Sequence, residues 1–173
     1  IATFTGSLNH TYGELTLNGG TLNVGKDYIG AKVVTNAEGK KEYLRNGNWH
    51  DLYMKNANDR MTVGGNFIEC ENGEMSKGVL RIGGNVESYN GFDYGAEHKT
   101  ILTGTQDQKI YGSASIKFGQ LEVENTDSRQ FNATQYFGAK KLLSDMAIKP
   151  DNLQITQLDA NGHTVNVLGD LTD

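Results

Sequence analysis

One short motif occurs four times in this chain, and it limits what the chain can fold into. The clearest copy is Leu80-Arg81-Ile82-Gly83-Gly84-Asn85-Val86. Two earlier copies are Leu22-Asn23-Val24-Gly25-Lys26-Asp27-Tyr28 and Met61-Thr62-Val63-Gly64-Gly65-Asn66-Phe67. A last one, Val165-Asn166-Val167-Leu168-Gly169-Asp170-Leu171, lies near the C-terminus. Apolar and polar residues alternate, so each copy opens as a strand with Leu80 and Ile82 inward and Arg81 outward. The glycines and the Asn or Asp that follow suit a tight corner. Strand, corner, strand is the reading of each copy.

Steps of about 20 residues lead from Met61 to Leu80, then to Thr100-Ile101-Leu102-Thr103-Gly104, then to Leu121-Glu122-Val123-Glu124. Short strands at such a period, joined by Gly and Asn corners, predict an all-β parallel solenoid (a β-helix). The Leu-x-x-Leu-x-Leu-x-x-Asn pattern of leucine-rich repeats is missing. An antiparallel β-sandwich is the competing architecture, since it also uses short strands and Gly-rich turns. Twenty-two glycines and a single proline fit ordered strands with tight corners, and a thin coil tolerates an apolar fraction of only 36%.

The length predicts one domain, residues 1–173. Residues 30–51 break the rhythm with a polar, charged stretch that reads as a loop or hairpin leaving the coil. Rungs resume at Leu52-Tyr53-Met54. Gly91 to Glu97 is a shorter excursion. Tyr136 to Met146 reads either as a short helix, with Leu142 and Met146 one turn apart, or as strand and turn. Gly169-Asp170-Leu171-Thr172 resembles Gly6-Ser7-Leu8-Asn9, which suggests a fragment of a larger repetitive protein.

Several stretches together resemble a repeat family of large secreted and cell-surface proteins of Gram-positive bacteria, clostridia and their relatives among them. They are Gly19 to Tyr28, Leu52 to Asn56, Met61 to Phe67, Gly78 to Val86, His98 to Gly104 with Gln108, Leu121 to Asn125, and Leu158 to Val165. The resemblance implies a β-solenoid in a modular exported protein, extracellular or attached to the cell wall. It brings no catalytic residues with it, and it tells nothing of 30–51.

Chemistry-bearing motifs are sparse. His10, His50, His98 and His163 fit no zinc spacing, and Cys70 is the only cysteine. His98 and His163 fall inside repeat motifs, which predicts structural corner or surface roles. No Gly-x-Ser-x-Gly elbow, phosphate-binding loop or EF-hand occurs. No cofactor and no metal are expected. A net charge of −5 without a basic stripe argues against nucleic acid, and no apolar run is long enough to enter a membrane as a helix. Asp27, Glu69 or Glu87 could line one face as a polysaccharide-cleaving enzyme would need. Yet Asp27 matches Asn66 and Asn85 in the motif, so that row reads as a packing ladder.

Aromatic residues remain. Tyr43, Trp49 and Tyr53 surround the long excursion, and Tyr89, Phe92 and Tyr94 the short one. The expected ligand-binding set is Tyr43, Trp49, His50, Asp51 and Tyr53, able to stack on a sugar and bond its hydroxyls. The expected function is a non-catalytic, monomeric display or adhesion module for a glycan or a host or surface protein. A structural spacer and a polysaccharide-acting enzyme are the alternatives.

Overall fold

The computed structural model describes residues 1–45, 50–70, 73–89, 92–106, 108–112, 116–124 and 153–159. These residues are all-β, and no helix occurs among them. The strands come in triplets. β1 (Ala2–Phe4), β2 (Leu8–Asn9) and β3 (Gly13–Thr16) form the first. β4 (Thr21–Val24) and β5 (Tyr28–Gly30) begin the second. A hairpin of β6 (Lys32–Thr35) and β7 (Lys41–Leu44) intervenes before β8 (His50–Met54) completes it. β9 (Arg60–Val63), β10 (Phe67–Glu69) and β11 (Glu74–Met75) form the third. β12 (Val79–Ile82), β13 (Val86–Ser88) and β14 (Phe92–Asp93) form the fourth. β15 (Lys99–Leu102), β16 (Ile110–Gly112), β17 (Ile116–Val123) and β18 (Leu153–Asp159) follow.

Within a triplet, neighbouring strands belong to different sheets. Pairing runs between triplets, and apart from the hairpin it is parallel throughout. The first sheet runs β1-β4-β9-β12-β15-β17, with β14 and β18 also on β17. The second runs β2-β5-β10-β13-β16, and the third β3-β8-β11. Register follows the motif copies: Leu22 pairs with Met61, Met61 with Leu80, and Leu80 with Thr100. Leu22, Met61 and Leu80 lie in one core with Val24, Val63 and Ile82, as the alternation predicts. Tyr28, Phe67 and Phe118 are fully buried there too. Each such side chain contributes about 1.5–3 kcal/mol by leaving water.

Two corners are stacked as ladders. At one, the Asp27 amide donates to Ser7 Oγ, Asn66 to Asp27 Oδ1, Asn85 to Asn66 Oδ1, and Lys109 to Asn85 Oδ1. The Asp27 row is therefore a packing ladder, and each side chain satisfies a backbone donor of the next triplet. At the other corner the carbonyls of Gly20, Asp59, Gly78 and His98 accept from the next triplet in turn. Asp59 and His98 are fully buried there. The Asp59 carboxylate takes the amides of Gly19 and Asn56. Gly78 sits between Asp59 and His98, and a Cβ on it would come within 2.8 Å of the Asp59 side chain. A side chain at Gly78 would therefore collide with Asp59.

The structure narrows the excursion expected over 30–51. Among the described residues of that span, the hairpin β6–β7 is what leaves the stack, and its Tyr43 folds back over the outer side of the second sheet. Ile29, Ala31, Ile68 and Cys70 form a second small cluster there, with Tyr43 and Tyr89 packed against it. That cover explains why β5, β10 and β13 are buried on both faces. His50 and Asp51 belong to β8, so the regular strands resume two residues before Leu52. The short helix considered at Tyr136 to Met146 lies outside the described residues, as does His163.

Candidate functional site

Strand β8 decides what the predicted binding set can do. Its burial alternates, with His50, Leu52 and Met54 inside and Asp51 and Tyr53 half-exposed outside. The structure therefore splits the five predicted residues. Tyr43 lies on the hairpin, half-buried, and stacks on Tyr89 with ring centroids 5.6 Å apart. Trp49 lies outside the described residues. His50 faces the core, fully buried, and its Nε2 is 3.0 Å from Glu69 Oε1. It is no part of a solvent-facing surface. The parity of the strand carried this signal, because His50 falls in step with Leu52 and Met54.

Asp51 and Tyr53 do share a face. The Tyr53 hydroxyl donates to Asp51 Oδ2 at 3.2 Å. Lys55 Nζ lies 4.3 Å from the centre of the Tyr53 ring and 2.7 Å from Glu74 Oε2. Glu14 stands opposite Asp51 on β3, and Tyr53 lies between Thr16 and Glu74. Burial and the bond to Asp51 raise the Tyr53 phenol above its ordinary value, so it stays a neutral donor. An aromatic ring, carboxylates and an ammonium group thus stand on one rigid three-stranded face. Such a face offers ring area for stacking and both donors and acceptors for hydroxyls.

A second polar group lies beneath the hairpin. Glu87, almost fully buried, accepts from Tyr89 at 2.9 Å and from Tyr111 at 2.6 Å. Burial raises its carboxyl above the ordinary value, and the two phenols partly offset that. This cluster ties the outer surface of the second sheet to Tyr89, on which Tyr43 stacks. Tyr94, expected on an exposed excursion, is instead in the main core at 2% exposure, edge-on to Phe118. Phe92 opens β14, which pairs with β17.

The carboxylates considered for catalysis do not line one face. Asp27 is at the corner, Glu69 points inward to His50, and Glu87 points outward under the hairpin. Among the described residues no group of three or more His, Cys, Asp or Glu could hold a metal ion. No helix among them is long and apolar enough to cross a membrane. No family model, curated protein or solved structure matches the chain.

Proposed function

We propose that this protein is a non-catalytic binding module built on a parallel β-solenoid, and that it takes a glycan or a surface protein on the outer face of β3, β8 and β11. Support for the solenoid comes from the connections. From β1 to β13, apart from the hairpin, successive strands enter three sheets in rotation, and counterparts in successive triplets pair in parallel. A parallel pair needs a long return path, and a coil supplies one at every turn. Residues from all three sheets share the main core. The order of its motifs resembles that of exported bacterial repeat proteins, so we place the module outside the cell or on its wall, as a monomer.

One observation carries the binding reading over a bare spacer: Tyr53, Asp51, Lys55 and Glu74 are linked side by side on a rigid, solvent-facing sheet. A spacer has no need of that set. The test is a glycan and surface-protein screen followed by calorimetric titration of the hit. Tyr53→Ala should weaken binding by about 2 kcal/mol, the scale of a hot-spot truncation, while the fold survives. Unchanged affinity for this variant, with loss of affinity for Tyr43→Ala or Trp49→Ala, would move the site to the hairpin side. If none of the three variants changes the titration, the binding reading fails.

A further inference from the structure

Three tyrosines from distant parts of the chain meet on the outer side of the second sheet. Tyr43 comes from the hairpin, Tyr89 follows β13, and Tyr111 lies on β16. The Tyr43 and Tyr89 rings stack with centroids 5.6 Å apart and planes 30° apart. The hydroxyls of Tyr89 and Tyr111 both donate to one carboxylate, Glu87, at 2.9 Å and 2.6 Å. Burial raises the Tyr43 phenol above its ordinary value, and the charges of Glu87, Asp27 and Cys70 add to that. The stacked rings therefore bring their phenol ends near the same carboxylate.

A phenol that loses an electron becomes a strong acid, so it is oxidised readily only where a base stands ready for its proton. Burial raises the Tyr89 and Tyr111 phenols far above their ordinary value, and both remain neutral donors. Glu87 is within reach to act as that base. Burial is also the largest influence on its carboxyl, and by raising it makes Glu87 the better proton acceptor. Among the described residues, β6 and β7 pair only with each other, so the hairpin can shift toward Tyr89 without breaking a ladder of the stack.

We propose that Tyr43 and Tyr89 are an oxidative cross-linking pair: a peroxidase fed with hydrogen peroxide joins them as dityrosine and staples the hairpin to the second sheet. Each phenol gives up one electron and its hydroxyl proton, Tyr89 to Glu87 and Tyr43 to water. The two phenoxyl radicals pair through a ring carbon beside each oxygen, and one C–C bond forms. The hydrogens on those carbons then move to the oxygens and restore both phenols. Glu87 passes its proton to solvent. The two electrons and two protons released reduce hydrogen peroxide to two waters.

The test is to treat the full chain, kept dilute, with peroxidase and hydrogen peroxide, then digest it and map the links by mass spectrometry. Every sample carries Tyr12→Phe, because Tyr12 is 74% exposed and would couple one molecule to another. The expected product is a monomer that has lost two hydrogens, shows dityrosine fluorescence and links the peptides of Tyr43 and Tyr89. Tyr43→Phe keeps the ring that covers the sheet and should lose the link entirely. Glu87→Gln keeps an acceptor oxygen but cannot take up a proton. It should lower the yield about tenfold or more at neutral pH, within the usual range for a lost general base, and recover it only at alkaline pH where phenols ionise unaided. Absence of product, a link through Tyr111, coupling only between molecules, or an undiminished yield in Tyr43→Phe would each overturn the pair. A Glu87→Gln pH profile that matches its parent would overturn the part given to the carboxylate.

Discussion

Acid should weaken this fold through His98, and by an amount that can be worked out. His98 Nδ1 donates to the Lys77 carbonyl at 2.9 Å, while Nε2 is buried with no hydrogen-bond partner. The ring stands edge-on to Tyr94 at 4.7 Å. A proton on Nε2 would place a charged N–H among apolar atoms with nothing to accept it. Burial accordingly pulls the imidazole down to about 4, only partly offset by the Lys77 carbonyl and Asp59. The unfolded chain titrates near 6.5, so between these values it binds more protons than the folded one. Stability from this group is complete above the unfolded value, falls as pH drops through the window and is lost below about 4. At about 1.4 kcal/mol per pH unit the loss is roughly 3 kcal/mol. His98→Asn offers a non-titrating control, because its amide can still donate to Lys77. Urea melts of both proteins should be run at several pH values from 7.5 to 4. The gap between the two unfolding free energies should close by roughly 3 kcal/mol across that range. Other titrating groups, His10 among them, are common to both chains and cancel. Parallel curves would show that His98 is not buried neutral, and the corner stack would have to be redrawn.

Three further tests concern the stack. Ile82→Asp should be severely destabilising, since it places an unpartnered carboxylate in the core column between Val63 and Leu102. Arg81→Ala should cost under about 1 kcal/mol, because it removes only a solvent-facing pair with Glu124; equal effects in thermal melts would refute the inward and outward assignment. Gly64→Ala should cost about 3 kcal/mol, since its Cβ would lie 2.5 Å from the Gly25 carbonyl oxygen, and a chemical melt that matches wild type would mean the triplets sit further apart. Asn66→Ala strands the Asn85 amide and should cost about 1–2 kcal/mol, whereas Asn66→Asp, which keeps the acceptor, should cost less; the reverse order would sink the ladder.

Local patterns in the sequence carry the inward columns and the corner ladder, whereas packing between distant segments leaves little local trace. Alternation fixed the inward columns through Leu22, Met61 and Leu80. The shared motif position linked Asp27 with Asn66 and Asn85. The cover on the second sheet depends on a hairpin contacting strands distant in sequence. A trace of it was present, because Tyr28-Ile29 and Phe67-Ile68 are adjacent apolar pairs, which alternation with one solvated face would not place together. Strand parity separates His50, in step with Leu52 and Met54, from Asp51 and Tyr53, so the expected binding set does not share one face. The burial of Tyr94 depends on the path of the short excursion around β14, which no local pattern encodes.

The hairpin also shows what the stack tolerates. Thirty-nine residues separate Val24 from its partner Val63, and nineteen separate Val63 from Ile82, yet the register is unbroken. Alignment is set by the corner bonds and the facing side chains, not by the count of residues between them. The junction between β5 and β8 is thus a natural graft point. A foreign peptide exchanged for the hairpin would be displayed at a fixed place on the second sheet, provided it brought apolar cover for Ile29 and Ile68.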